Sequence, residues 1–519
     1  MDALSGFFTA YTSPELLALV GLGTFAGIYV GAIPGLSVTM AVSILISFTF
    51  SWDVYPAIAL MVGIYMGGVY GGSRTAILLN IPGAPSAIAT ALDGYPMAQR
   101  GEAGTAIGVT TVMSFIGGFI GIFVLAVAAP FVSDFALLFQ PRDYLLLAVL
   151  GLLLVGSLSG GSLLKGIFSG ALGVAIGAVG MDPLTFTERF TFGSPTLMGG
   201  ISFIAVMIGL FGVSEALAQL HHVSTAAVRQ TITRIVPSLS TVRKHLPLSI
   251  KTSAIGVFIG ALPGTGGDIA ALMAYDHAKR STKNPERPFG DGAIEGLVAP
   301  ETANNAAVGG AFIPMMTLGI PGDAVTAIMI GALFIHGLNP GPMLMVDRPD
   351  MFWFIVGALT LANVFMVVLG LTGIRLFVKI VEMPRSVMIP LIMLLSIVGA
   401  YAVNNSIGDV YWMLGFGIFG YFMKLYAYPL GPVILGVILS RLLDDNWRRA
   451  IIIERGSLPD FFLGILTSPL SLALFLSAVF ILVSQTPPWK RWRARKEALR
   501  AAIDPARPGE DEAGPRSIR

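Results

Sequence analysis

The amino-acid sequence predicts an all-α, polytopic membrane protein. Of its 519 residues, 55% are hydrophobic and 12% are charged, and the mean hydropathy is +0.79. Five stretches contain no Asp, Glu, Lys or Arg, and each exceeds the about 20 apolar residues that a helix needs to cross a hydrocarbon core. These stretches are residues 16–52, 103–133, 190–214, 351–374 and 461–489. Their apolar runs are continuous, which is the pattern of membrane helices and not of the alternating strands of a β-barrel.

Charge-free windows predict the individual spans in order along the chain. They lie at residues 16–33, 54–72, 103–129, 144–164, 166–180, 200–220, 351–374, 386–403, 410–424, 426–440 and 461–484, of which only 200–220 and 410–424 include one charged residue each. Other apolar segments are interrupted by Pro-Gly or by polar clusters, at residues 36–50, 74–92, 252–278 and 293–334. We expect these interrupted segments to be broken or re-entrant helices.

Composition also excludes several classes of function. The 32 Lys and Arg nearly balance the 30 Asp and Glu, and no basic domain stands apart, so a nucleic-acid partner is not expected. Cysteine is absent, which excludes disulfides and thiolate metal sites. The His-Glu-x-x-His signature of membrane zinc proteases is also absent from the sequence. We therefore predict that the chain is not an enzyme and carries no cofactor.

Two motifs occur twice in the same order, which predicts an internal duplication. The repeated stretches are Gly31-Ala-Ile-Pro-Gly35 with Gly260-Ala-Leu-Pro-Gly264, Tyr70-Gly-Gly72 with Val308-Gly-Gly310, and Asn80-Ile-Pro-Gly83 with Gly319-Ile-Pro-Gly322. Glycines at four-residue spacing precede the first motif of each copy and indicate close helix packing. We predict a first repeat at residues 1–220 and a second at residues 252–485.

Lys and Arg collect in the linker at residues 221–251, which has no acid, and in the tail at residues 486–519. The positive-inside rule places both in the cytoplasm. No Lys or Arg precedes Arg74, so the N-terminus is expected outside. The arginines between 441 and 455 conflict with this topology, but three acids accompany them. The two repeats would then enter the membrane from opposite sides, as in inverted-repeat secondary transporters.

The Pro-Gly breaks are the predicted binding site. Each break frees backbone amides and carbonyls that lipid cannot satisfy, so it must be buried in protein or line a watery cavity. Helix N-termini after the breaks would point positive dipole ends at an anionic substrate. The predicted substrate-binding residues are Pro34, Gly35, Ser37, Thr39, Arg74, Asn80, Pro82, Gly83, Pro263, Gly264, Thr265, Gly266, Pro321 and Gly322. The alternative is that Pro-Gly only kinks helices or forms extramembrane turns.

A polar segment in the second repeat is a candidate site for the coupling ion. Glu301, Thr302, Asn304 and Asn305 supply hard oxygen ligands for sodium, or a carboxylate that carries a proton. The alternative is a helix cap at the membrane surface, with Pro300 at the helix start.

Three charged residues lie near the breaks. Two of them, Arg74 and Asp268, have two interpretations each. Arg74 either pairs with a substrate carboxylate or extends its side chain to the lipid headgroups. Asp268 is either a coupling-ion ligand or an acid at a helix start. Asp323 follows the last Pro-Gly break and is grouped with the coupling-ion ligands.

The stretches that begin at Gly31, Tyr70, Gly260 and Glu295 resemble the large membrane subunit of the tripartite tricarboxylate transporters, the TctA family. The resemblance covers residues 21 to about 455. It implies a bacterial inner-membrane carrier that works with a small membrane subunit and a periplasmic solute-binding protein. It also implies import of tri- or dicarboxylates by symport with Na⁺ or H⁺. The alternative is a stand-alone anion channel or carboxylate exporter of the same architecture.

Overall fold

The computed structural model describes residues 2–33, 36–158, 162–182, 186–220, 235–373 and 385–484, with residues 486, 488, 489, 492 and 495. Helices α1 to α10 are Asp2–Thr12, Pro14–Ala32, Val38–Thr49, Val54–Leu79, Ala87–Gln99, Ala103–Ala136, Pro141–Leu158, Leu163–Gly177, Pro195–Met198 and Phe203–Gln219. Helices α11 to α21 are Leu239–Ala261, Gly266–Ser281, Glu295–Leu318, Ala324–Ile335, Pro342–Asp347, Pro349–Thr372, Arg385–Asn404, Ile407–Leu425, Gly431–Ile453, Leu458–Thr467 and Pro469–Ser484. Strands β1 (Gly180–Met181) and β2 (Glu188–Arg189) form a short antiparallel pair.

The predicted all-α membrane fold is confirmed. Within the described residues, helices α2, α4, α6 and α16 are long and apolar enough to cross a membrane. Helices α20 and α21 form a further candidate span, but they meet at 97°. The single span predicted at residues 461–484 is therefore broken in the structure, because Pro469 disfavours helical backbone at the residue before it. The span predicted at residues 426–440 is displaced, since α19 runs from Gly431 to Ile453.

Helix α2 packs in parallel against α4, and the same arrangement recurs between α11 and α13. A Cβ atom on Gly31 would lie 2.2 Å from the carbonyl oxygen of Gly68, and one on Gly260 would lie 2.4 Å from that of Ala307. Only glycine permits backbones to approach this closely. The contacts that set the parallel direction are Gly27 with Ile64, Gly31 with Gly68, Gly256 with Ala303, and Gly260 with Ala307.

The Pro-Gly breaks after α4 and α13 also occupy matching places. A Cβ atom on Gly83 would lie 2.2 Å from the carbonyl oxygen of Gly31, and one on Gly322 would lie 2.5 Å from that of Gly260. The chain thus turns back after each long helix and packs against the end of the preceding one. The backbone turn that precedes each break is left-handed, at Asn80 (φ 55°) and at Gly319 (φ 69°).

In the second motif pair, the packing contacts match the glycines with an offset of one residue from the sequence alignment. Gly71 packs against the carbonyl oxygen of Ile28 at 2.3 Å, and Gly310 packs against that of Val257 at 2.5 Å, both measured from an ideal Cβ position. The structural counterpart of Gly310 is therefore Gly71, whereas the sequence motifs aligned it with Gly72.

Helix α6 shows that α4 and α13 run in opposite directions. It is antiparallel to α4 and parallel to α13. The contacts that fix these directions are Arg74 with Ile107, Tyr70 with Thr111, Gly117 with Thr302, and Gly121 with Ala306. The C-terminal end of α5 lies beside the residues that precede α13, where Arg100 pairs with Asp291 at 2.8 Å.

One face of the bundle, called the linker face, contains residues 99–103, 239–245 and 281–295. There Asp93 Oδ1 accepts hydrogen bonds from the amides of Gly290, Gly292 and Ala293 at 2.9, 2.9 and 2.8 Å. Arg287 donates two hydrogen bonds to Glu102, at 2.5 and 2.8 Å. These polar contacts fix the start of α13 to the end of α5.

The end of α19 lies at the opposite face of the bundle, because α6 runs from the linker face to α7, where Arg142 pairs with Glu454 at 3.2 Å. Lys165, at the start of α8, bonds to the carbonyl of Tyr426, whereas the end of α8 leads to the Asp182 loop. Arg448 and Arg189 both pair with the buried Asp182, and Arg189 also pairs with Asp444. The charge of Arg448 is therefore balanced by acids in the structure.

Candidate functional site

The segments around the Pro-Gly breaks meet at one cavity of about 210 Å³. Its walls come from the end of α2, the middle of α4 and α13, the starts of α3, α12 and α14, and the break segments before α5 and α12. Pro34 and Gly35 lie outside the described residues. The predicted residues that line the cavity are Ser37, Thr39, Gly83, Gly264, Thr265, Gly266, Asp268, Asn304 and Asp323. The structure therefore brings together parts of both motif copies.

Helices α3 and α5 form one side of this cavity with their N-termini. Ser37 is the N-cap of α3 and accepts a hydrogen bond from the amide of Met40 at 3.0 Å. Neither α3 nor α5 has an acidic residue in its first turn. Helix N-termini carry a partial positive charge, so this side of the cavity favours an anion. We call it the first-repeat half of the cavity.

Helices α12 and α14 form the other side, which is acidic and is called the second-repeat half. Asp268 lies in the first turn of α12, and its Oδ1 accepts a hydrogen bond from the Ser86 amide at 2.9 Å. Asp323 caps α14 and accepts hydrogen bonds from the amide and hydroxyl of Thr326, each at 2.7 Å. Among the described residues that line the cavity, Asp268 and Asp323 are the charged ones.

Asn304 also lines the second-repeat half, and it is nearly buried, at 5% exposure. Its amide nitrogen donates to the carbonyl oxygen of Val69 at 3.2 Å. Its side-chain oxygen faces α12, because a Cβ atom on Gly267 would lie 2.2 Å from it.

Tyr65 is a cavity residue that the sequence analysis missed. Its hydroxyl donates a hydrogen bond to Asp323, so it joins α4 of the first predicted repeat to α14 of the second. Tyr65 lies one residue after Ile64, and Asn304 lies one residue after Ala303, and these are matching contact positions in α4 and α13. Counting back from the paired Gly83 and Gly322 would therefore have pointed to Tyr65 as the counterpart of Asn304.

The rest of the predicted coupling-ion segment lies away from the cavity lining. Glu301 is buried and accepts hydrogen bonds from Thr90 at 2.6 Å and Ser114 at 2.9 Å. Thr302 donates to the carbonyl of Val298. The Asn305 amide donates to the carbonyl of Glu301. None of these three residues belongs to the described lining of the cavity, whereas Asn304 does.

The helix-cap alternative for this segment is wrong. Helix α13 begins at Glu295, so Pro300 and Glu301 lie within the helix and not at its start. The sequence suggested a helix start because proline is common at first helical positions.

Arg74 is buried at 1% exposure, and it contacts protein rather than the cavity. Its guanidinium donates to the carbonyl of Ile107 at 3.1 Å and to the hydroxyl of Thr111 at 2.8 Å. It also lies 3.9 Å above the centre of the Tyr70 ring. The guanidinium is therefore not at a lipid-facing surface, which rules out the alternative of a side chain extended to the headgroups.

The remaining predicted residues are backbone positions beside the cavity. Asn80 is exposed at the end of α4, while Pro82 and Pro263 are half-buried and Pro321 is buried. Gly322 packs behind the cavity against the Gly260 carbonyl. None of these five belongs to the described lining.

Comparison with known proteins identifies the family of this chain. The model of the tripartite tricarboxylate transporter TctA family matches residues 17–435. The chain belongs to the TctA family. It is 38% identical, over 91% of its length, to an uncharacterized 52.8 kDa protein in the TAR-I ttuC' 3' region of Agrobacterium vitis, and covers 94% of that relative. A protein in the TAR-II ttuC' 3' region of the same organism is 38% identical over 45% of this chain and 94% of its own length. No solved structure matches.

Membership in the TctA family settles the class of protein. This TctA-family chain is a multi-pass membrane component of tricarboxylate transport, and the family is one of transporters rather than enzymes. It belongs to a tripartite system, so other subunits are implied.

Proposed function

We propose that the chain is the permease subunit of a secondary transporter that imports carboxylates by cation symport. The observation that carries this proposal is the convergence of segments from both repeats on one cavity. Two helix N-termini in that cavity have no acid in their own first turns, so their dipoles favour a carboxylate, although the Ser86 amide before α5 already bonds to Asp268. Ser37 and Thr39 add hydroxyl groups beside them.

The opposite directions of α4 and α13 support an inverted-repeat architecture. In such carriers the substrate site lies at the repeat interface near the middle of the bilayer, formed by discontinuous helices. The glycine contacts at Gly83 and Gly322 match between the halves, as this architecture requires. Alternating access would come from movement of the broken segments against the surrounding helices, by analogy with other carriers of this plan.

The proposed setting is the bacterial inner membrane, with the linker face in the cytoplasm. The N-terminus is then periplasmic and the basic tail cytoplasmic. A periplasmic solute-binding protein delivers the carboxylate, and a small membrane subunit completes the complex. The cation gradient supplies the driving force, since the sequence contains no Gly-x-x-x-x-Gly-Lys-Ser/Thr phosphate loop.

Uptake by proteoliposomes tests this function. The chain is reconstituted with its small subunit, and radiolabelled citrate and dicarboxylates are offered with and without the binding protein. We expect uptake that needs both the binding protein and an inward gradient of sodium or protons. Uptake that is independent of the binding protein and of both gradients would identify a channel instead.

A further inference from the structure

Three oxygen-bearing side chains meet at two consecutive glycines at the start of α12. A Cβ atom on Gly266 would lie 3.0 Å from the Cβ atom of Asp323, and one on Gly267 would lie 2.2 Å from Oδ1 of Asn304. Asp268 follows these two glycines directly. The Gly-Gly-Asp sequence therefore lets Asp323 and Asn304 approach the first turn of α12, where Asp268 also lies.

Two of these side chains retain oxygens for a ligand. Asn304 is only 5% exposed, and its Oδ1 accepts no hydrogen bond from any residue that the structure describes. Oδ1 of Asp268 accepts from the Ser86 amide, and the carboxylate lines the cavity. This oxygen faces the cavity that Asn304 lines, so it is open to a ligand there. A bound cation would supply what this oxygen lacks.

The electrostatics divide the cavity between an anion and a cation. In the second-repeat half, the two carboxylates exceed the partial positive charges of the α12 and α14 N-termini, each of roughly half an elementary charge. In the first-repeat half, the N-termini of α3 and α5 have no acid in their first turns. The positions that correspond to Asp268, Asn304 and Asp323 are Thr39, Tyr65 and Ala84, so this half has no carboxylate. A substrate anion beside Asp268 and Asp323 would be repelled unless a cation lay with it.

We propose that Asp268, Asn304 and Asp323 form a sodium site in the second-repeat half, and that this ion holds the substrate carboxylate against the first-repeat half. Hard oxygen ligands suit sodium. Calcium typically takes six to eight oxygen ligands, whereas Asp323 already accepts hydrogen bonds from Thr326 and Tyr65. The few oxygens left fit a monovalent ion. This inference rests on the proposed carrier function and names its ion and its site.

Equilibrium binding of radioactive ²²Na⁺ to the purified full-length chain tests the site without any substrate. We expect saturable binding that potassium does not compete away. Asp268→Asn and Asn304→Ala should each raise the sodium Kd at least tenfold. Gly267→Ala should also weaken binding, because its methyl group would displace the Asn304 oxygen. Asp276→Asn, on the exposed part of the same helix, is the matched control and should keep the wild-type Kd.

Three outcomes would overturn the sodium site: a wild-type Kd in all three variants, equal competition by potassium and sodium, or no saturable sodium binding in wild-type protein. Thermal melting without sodium shows whether each variant is folded. If Asp268→Asn or Asn304→Ala does not fold, Gly267→Ala still tests the site, because it keeps all three ligand side chains. Carboxylate uptake driven by protons alone would refute the sodium site but leave the carrier function intact. Absence of carboxylate uptake under either gradient would contradict the carrier function itself.

Discussion

The carbonyl oxygen of Gly31 lies 2.2 Å from the place that a Cβ atom would take on Gly83. The contact joins the end of α2 to the break after α4, and a matching contact joins Gly260 to Gly322 in the second predicted repeat. Both breaks are therefore held by backbone packing that excludes any side chain. This packing positions the N-terminus of α5 in one repeat and of α14 in the other at the cavity.

The first prediction concerns these two glycines. Gly83→Ala and Gly322→Ala should each reduce carboxylate uptake at least tenfold, because a methyl group would push the break away from the preceding helix. Gly415→Ala is the control, since no atom lies within 4 Å of a Cβ at that position. Uptake is measured per amount of folded protein in the membrane. Full uptake by both break variants would reduce the motifs to turns without a role in transport.

Arg74 is predicted to stabilise the fold rather than to bind substrate. Arg74→Met should lower the free energy of unfolding by about 1–3 kcal/mol through the loss of its two hydrogen bonds. The KM for carboxylate uptake should stay within twofold of wild type once the amount of folded protein is matched. Thermal melting and uptake kinetics measure the two effects separately. A raised KM with unchanged melting would return Arg74 to the substrate site.

The Glu102–Arg287 pair at the linker face should contribute pH-dependent stability. Hydrogen bonds from Arg287 hold the pKa of Glu102 below its ordinary value. The contribution is thus complete above the unfolded pKa of about 4.3, and it is lost as pH falls through the lower folded pKa. Both side chains are about one-third exposed or more, so the pair contributes less than about 1 kcal/mol.

Melting curves of wild type and Glu102→Gln from pH 7 down to pH 4 measure this contribution. The wild type should be slightly more stable near pH 7, and the difference should shrink as the pH approaches 4. A difference that is constant or grows on acidification would show that the carboxylate charge does not stabilise this contact.

The topology can be tested with single cysteines, because the native chain has none. Ser5 and Asn284 are both exposed, and Asn284 lies on the linker face. Ser5→Cys should react with a membrane-impermeant thiol reagent added to spheroplasts, and Asn284→Cys should react only after lysis. Labelling of Asn284→Cys in intact spheroplasts would contradict the proposed orientation.

The sequence could predict where the broken helices meet, because proline, glycine and the repeat of both motifs are local signals. It could not predict which polar residues of α13 face the cavity. Glu301 and Asn304 are three residues apart, and the helix turns Glu301 towards Thr90 and Ser114 while Asn304 faces α12. The direction of a side chain in an almost wholly buried helix depends on its neighbours, which a hydropathy pattern does not identify.

Two further differences have physical reasons. Arg74 is buried against Ile107 and Thr111, which lie in α6, more than 30 residues later in the sequence. A charge count along the chain does not detect such a contact and therefore places Arg74 at the end of a span. The bend before Pro469 was visible as a proline, but the uninterrupted apolar run at residues 461–484 concealed it. Apolar composition alone does not distinguish one straight helix from two that meet at 97°.

The central claim is that a carboxylate binds in the cavity between the broken helices. A cryo-electron microscopy structure of the reconstituted transporter with saturating sodium and a transported carboxylate tests it most directly. We predict carboxylate density against Ser37, Thr39 and the N-termini of α3 and α5. Carboxylate density elsewhere, for example beside Arg189, with the central cavity empty, would contradict the account.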